Sequence, residues 1–142
     1  MTTANTPDLT VYFDGACRLC RGEMALLMQR NAAGRLAFVD IAAPGFDPTP
    51  LGVQLDAMLS LIHARRSDGR WLIGVPALQA IYEATGFDRL AGWLRRPGVA
   101  RLAARVYPWI VRHRHHLPRP LIERFFQLQL RSCRADGTCA LR

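Results

Sequence analysis

Hydrophobic positions along this chain fall in short blocks whose period changes from one block to the next. Leu9-Thr10-Val11-Tyr12-Phe13 is a compact apolar run and reads as a buried strand. From about Cys17 to Arg30, the residues Leu19, Met24, Leu27 and Met28 lie near helical spacing. Asn31-Ala32-Ala33-Gly34 follows with a glycine suited to cap that helix. Leu36–Ile41 is a second apolar run. A strand, a helix of about a dozen residues and a second strand imply parallel pairing through a right-handed crossover.

Further along, Pro44–Pro50 is a loop rich in Pro and Gly, and Leu51–Ala57 reads as a short helix. Met58–Ala64 and Arg70–Ile73 are predicted strands flanking Ser67-Asp68-Gly69, a hairpin signal. Pro76 suits the first turn of a helix that runs to about Thr85 and stops at Gly86. Helical segments follow at about Phe87–Arg95 and Val99–His113, with a third at Pro120–Arg131.

The chemistry sits between the first strand and the first helix. Asp14-Gly15 turns the chain, and Cys17-Arg18-Leu19-Cys20 opens the helix. A cysteine at a helix N-terminus faces unpaired N–H groups and the positive end of the helix dipole, which favour thiolate over thiol. Arg18 and Arg21 are expected to add positive charge on either side. A second cysteine one helical turn on is placed to resolve a mixed disulfide. Cys17, nearest the helix start and least covered by it, is the expected nucleophile, and Cys20 the resolving thiol. Asp14 is expected either to cap the helix or to take a proton from a cysteine during resolution. A bare C-x-x-C also serves zinc sites or stands as an inert buried pair, so those readings stay beside the redox one.

The run Tyr12-Phe13-Asp14-Gly15-Ala16-Cys17-Arg18-Leu19-Cys20 resembles the D-x-x-C-x-x-C signature of the DCC family of predicted thiol-disulfide oxidoreductases. Phe38-Val39-Asp40-Ile41, Asp68-Gly69-Arg70 and Gly74-Val75-x-Ala77 are similar to it as well, and the resemblance covers roughly Leu9 to Arg114. It implies a thioredoxin-like fold and dithiol–disulfide exchange. The predicted element order agrees: an α/β thioredoxin-like βαβ–ββα core over residues 9–88. Around it come a flexible start at 1–8 and an Arg-rich helical extension at 89–142, packed on the same domain. One departure stands out. Thioredoxins place a cis-proline before the third strand, whereas the matching stretch here, near Met58–Ser60, has none, and Pro76 follows the hairpin.

With 142 residues, half of them hydrophobic, the chain makes one domain with an ordinary core, and four cysteines are too few for a disulfide-built scaffold. The start, Met1 to Asp8, has neither a basic nor an apolar signal region, and no apolar stretch approaches a membrane span. A cytoplasmic, reducing location is therefore expected. Charge is uneven. Residues 1–88 carry 7 Arg against 9 acidic residues, net −2, while residues 89–142 carry 12 Arg against 2, net +10. Arg pairs bidentately with carboxylates and phosphates, so an anionic partner at the C-terminal third is one expectation.

Several other constellations carry weaker signals. Cys133 and Cys139 frame a C-x5-C that could be a second disulfide, two free thiols, or half of a four-cysteine zinc site with Cys17 and Cys20. His113-Arg114-His115-His116 reads as a solvated helix end, and His63 as a satisfied core or edge residue. Tyr107, Trp109, Phe125 and Phe126, interleaved with Arg101, Arg105, Arg112, Arg119 and Arg124, are expected to pack inward with Arg outside.

The function expected is thiol-disulfide exchange on a protein or small-molecule substrate, with no organic cofactor, because the dithiol itself stores the electrons. Two alternatives remain. One is a non-catalytic binding module using the Arg-rich third. The other is a domain stabilised by zinc on four cysteines.

Overall fold

The computed structural model describes residues 6–121 and 124. Strands β1 (Leu9–Phe13), β2 (Leu36–Asp40), β3 (His63–Arg66) and β4 (Trp71–Ile73) form a single sheet in the order β2-β1-β3-β4. β2 runs parallel to β1, with Val11 opposite Phe38. β3 is antiparallel to β1, and β4 to β3. Helix α1 (Arg18–Arg30) makes the crossover, α2 (Leu55–Ser60) precedes β3, and α3 (Val75–Ala84), α4 (Asp88–Leu94) and α5 (Pro97–His113) follow the hairpin. This is the thioredoxin-like arrangement.

Alternation along β1 decides the layers. Leu9 and Val11 pack with Met24 and Leu27 of α1 and Ala77 and Ile81 of α3. Tyr12 points the other way, to Ile41 and Met58. Side chains on successive strand residues must face opposite sides, so one strand serves two cores. The first of these is fully enclosed, since Val11, Ala77 and Ile81 have no exposed surface. His63 is buried too, bonded through Nδ1 to the Leu61 carbonyl at 2.8 Å and edge-on to Trp71.

Some predicted boundaries move. Met58–Ser60 belongs to α2 rather than to a strand, and β3 begins at His63. Leu55, Met58 and Leu59 recur at helical spacing, and burial of Met58 against Tyr12 favours that helix. The helix also starts later than Leu51, because Gly52 closes a 3-10 turn at Thr49–Leu51 with φ 69°, which ends helical continuation. Asn31, not Gly34, caps α1, and its side chain bonds both the N–H and the carbonyl of Leu36. Pro76 sits in the first turn of α3 as predicted, and no cis peptide bond occurs among the described residues. Asp8, just before the interior strand β1, is tied down by bonds to Arg35 and Ser67 on the strand's two sides.

The helices after α3 rest on the same body. Gln79 Nε2 donates to the Leu94 carbonyl, and the Ile62 N–H donates to Tyr107 Oη at 3.2 Å. Tyr107 turns inward, but Trp109 does not: it is 59% exposed and lies against His113. Trp109 departs from the inward packing expected of these aromatics because α5 has no element covering that face among the described residues. Phe125, Phe126, Cys133, Cys139 and most of the third predicted helix lie outside the described residues.

Candidate active site

The site starts with the turn between β1 and α1. Asp14 Oδ1 accepts from the Ala16 N–H at 3.0 Å, and the Cys17 N–H donates to the Asp14 carbonyl at 3.1 Å. Asp40, at the end of β2, accepts from the Gly15 N–H at 2.8 Å and also from the Ala42 N–H. The carboxylate lies so close that a Cβ at position 15 would overlap it. Glycine is required here for close approach.

This turn delivers Cys17 as the N-cap of α1. Its backbone is extended, and its sulfur accepts the Cys20 N–H at 3.3 Å. Asp14 shapes the turn before the helix, and the cap itself is Cys17. Cys20 Sγ also donates to Cys17 Sγ at 2.8 Å. That bond from Cys20 is the largest influence on Cys17. With the Cys20 N–H and the charges of Arg114 and His115 it outweighs desolvation and lowers the Cys17 thiol from its ordinary value to about 6. The same bond, with burial and the neighbouring Cys17 charge, pushes Cys20 the other way, far above the ordinary thiol range. The two shifts run in opposite directions, favouring the thiolate at Cys17 and the retained proton at Cys20.

Two sequence expectations change. Cys17 is 1% exposed, and Cys20 is the more accessible of the two. Cys17 caps α1 and is nonetheless closed off from solvent. Arg18 and Arg21 point to solvent, and the cation beside the sulfurs is Arg114.

Arg114 follows α5, in a segment read from sequence as a solvated helix end. Its neighbours His113, His115 and His116 are exposed, yet its own side chain is 11% exposed. Nη2 donates to Asp14 Oδ2 at 2.8 Å and to the Leu59 carbonyl at 3.0 Å, and Nη1 lies 3.6 Å from Cys20 Sγ. The one available signal was its spacing: Arg114 lies seven residues after Tyr107, two turns along the same helix face.

A second polar group missed in the sequence lies one turn beyond Cys20. Glu23 accepts from Tyr82 Oη at 2.6 Å. Desolvation raises its carboxyl above the ordinary range despite that bond, and its charge raises Tyr82 and Cys20 in turn. Tyr107 is raised mainly by burial.

Zinc on this pair would need a wider sulfur spacing than 2.8 Å and further ligands, and Cys133 and Cys139 lie outside the described residues. Tetrahedral zinc with ~2.3 Å bonds holds its thiolates about 3.8 Å apart. Among the described residues no third His, Cys, Asp or Glu joins them as a ligand.

A family model of DCC1-like thiol-disulfide oxidoreductases matches residues 11–120, most of the chain and all of this site. The chain belongs to the DCC1-like thiol-disulfide oxidoreductase family. The match spans the turn, the dithiol and Arg114 together, so a DCC1-like chain is the frame in which all three are read. An uncharacterized chloroplastic protein of Arabidopsis thaliana is 29% identical over 140 residues, covering 94% of this chain and 65% of that protein. The chain thus spans just under two thirds of the length of that relative. No solved structure matches significantly. Among the described residues no helix is long and apolar enough to cross a membrane.

Proposed function

We propose that this DCC1-like chain exchanges dithiol for disulfide through Cys17 and Cys20. The observation that carries the reading is the Cys20-to-Cys17 sulfur bond, which divides two chemically identical thiols into a nucleophile and a proton holder. Cys17 thiolate attacks one sulfur of a substrate disulfide. A Cys17–substrate disulfide forms, the substrate's own bond breaks, and one substrate thiolate leaves. Cys20 then passes its proton to water and attacks Cys17 Sγ. The intramolecular disulfide forms and the second substrate thiolate leaves. Two electrons pass to the substrate, and an external thiol returns them.

Asp14 is the site's third residue. In this reading its carboxylate is committed to the Ala16 N–H and Arg114, and its contribution is to hold both in place. The substrate class is a protein or small-molecule disulfide. The cytoplasm, where reduced thiols supply the electrons, is the compartment that suits this cycle.

The test is a redox titration across a glutathione series with mass-resolved alkylation, alongside Cys17→Ser and Cys20→Ser. Interconversion of the two cysteines as one two-electron couple is expected. Independent, one-at-a-time titration would sink the reading.

A second role rests on a different surface. Trp93, Leu102, Val106 and Trp109 are exposed on α4 and α5, among Arg101, Arg105 and Arg112. An apolar face rimmed by Arg suits an anionic partner. Salt-sensitive binding to anionic vesicles or nucleic acid, unchanged in Cys17→Ser, is the expected signature.

A further inference from the structure

The chain just past the C-terminal end of α5 reaches the dithiol through Arg114, and α5 itself has no fully buried apolar residue to fix it. An open cleft of about 380 Å³, lined by Leu59, Ser60, Leu61, Pro108, Val111 and Arg112, separates it from the segment before β3. Beyond that cleft the chain comes back down at Arg114. There the contact is polar: a buried ion pair to Asp14, a bond to the Leu59 carbonyl, and the approach to Cys20.

We propose that Arg114 is a positioning residue that clasps the end of α5 over the dithiol, so that Cys17 is reached only when this segment lifts. The inference rests on the redox reading for its purpose but not for its measurement. Three observations support it. Cys17 is 1% exposed even though it caps a helix, a position that is normally open to solvent. Arg114 joins two separate parts of the site, the β1–α1 turn at Asp14 and the end of α2 at Leu59. The clasp is also incomplete. Arg114 Nε is buried with no hydrogen-bond partner among the described residues, so lifting returns an unsatisfied donor to water. A place to bend exists as well. Pro108 lies inside α5 and has no N–H to give the Ala104 carbonyl one turn back.

The clasp has two effects on Cys17 that oppose each other. Its charge favours the thiolate, and its position hides it. A pH profile separates them. The full-length reduced chain would be alkylated with iodoacetamide from pH 4 to 10, with Cys17 followed by mass. The midpoint reports thiolate stability and the high-pH plateau reports access. In Arg114→Met the midpoint should rise toward the ordinary thiol value of about 8.5. Its plateau should rise about tenfold, equivalent to about 1.4 kcal/mol of cover. Arg114→Lys keeps the charge without the planar fork, so its midpoint should stay low while its plateau rises. Asp14→Asn releases the clasp from the other side and keeps Arg114 in the chain. Its plateau should rise. Near-UV circular dichroism of each variant confirms folding, and the Lys and Asn variants carry the test if Arg114→Met does not fold. Plateaus equal to the unsubstituted chain in both of these overturn the clasp. Failure of Cys17 and Cys20 to form a redox couple would remove the exchange reading and leave this measurement intact, because alkylation needs Cys17 alone.

Discussion

Asp14 and Arg114 stand 100 positions apart and meet in an ion pair of 2.8 Å, with side chains 6% and 11% exposed. One belongs to the turn that presents the nucleophile, the other to the end of the last long helix described. A pair this enclosed is costly to break from one side, because the remaining charge stays in a poorly hydrated place.

Asp14→Asn should therefore destabilise the protein by about 3 kcal/mol, at the lower edge of the range for a buried charge left without its partner. Urea unfolding in reductant measures it. A double substitution with Arg114→Met should cost less than the two single costs added together.

Gly15→Ala tests the turn from below. The new methyl would collide with an Asp40 carboxylate that two backbone N–H groups hold in place, so it cannot simply swing aside. A loss of about 1–3 kcal/mol is expected, as for other overpacked sites. Asp40→Ala in the same chain should recover part of it, read from the unfolding midpoints of the four-member cycle.

The lowered Cys17 thiol makes stability depend on pH. Its folded value, about 6, lies below the ordinary value, so between the two the unfolded chain binds more protons. Stability of the reduced protein should rise from pH 6 toward about 8.5, and fall away as pH drops through 6. Cys20 is shifted the opposite way. Its contribution is present below the ordinary thiol value and lost above it. A maximum at roughly pH 8–9 is expected, and Cys17→Ser should flatten the rising limb. Unfolding midpoints across pH decide it.

Glu23→Gln should stabilise the protein at neutral pH. Burial raises the Glu23 carboxyl, so ionising it in the folded state is unfavourable, and that penalty is absent where the unfolded group is itself protonated. Glutamine keeps an acceptor for Tyr82 Oη. The advantage should disappear below about pH 4, and equal stability of both chains at pH 7 would refute the assignment.

Stabilising a thiolate also stabilises the reduced state of the pair. Arg114→Met should lower the two-electron potential by about 30 mV for each tenfold loss of thiolate, seen in glutathione equilibration.

Local signals made much of this molecule legible. The β1 run, the dithiol at a helix start and the Asp68-Gly69 turn each depend on neighbours within a few positions, and each lies where the sequence places it. Met58–Ala64 misled because a short, mostly apolar run does not distinguish strand from helix by its own period. Burial on Tyr12 and the turn at Gly52 chose helix over strand. Arg114 was nearly invisible for a different reason. Among twelve arginines in the C-terminal third only the two-turn spacing from Tyr107 sets this one apart, and its partner is set by how the whole sheet places Asp14.

The separation of Asp14 from Arg114 also gives the dithiol a history during synthesis. A chain emerging N-terminus first contains both cysteines long before it contains the guanidinium. Until residue 114 arrives and the long loop closes, neither sulfur has the cation beside it. The growing polypeptide thus carries its cysteines through biogenesis without that activation. The share of Cys17's acidity that comes from Arg114 is acquired only once residue 114 has been made and has reached the site.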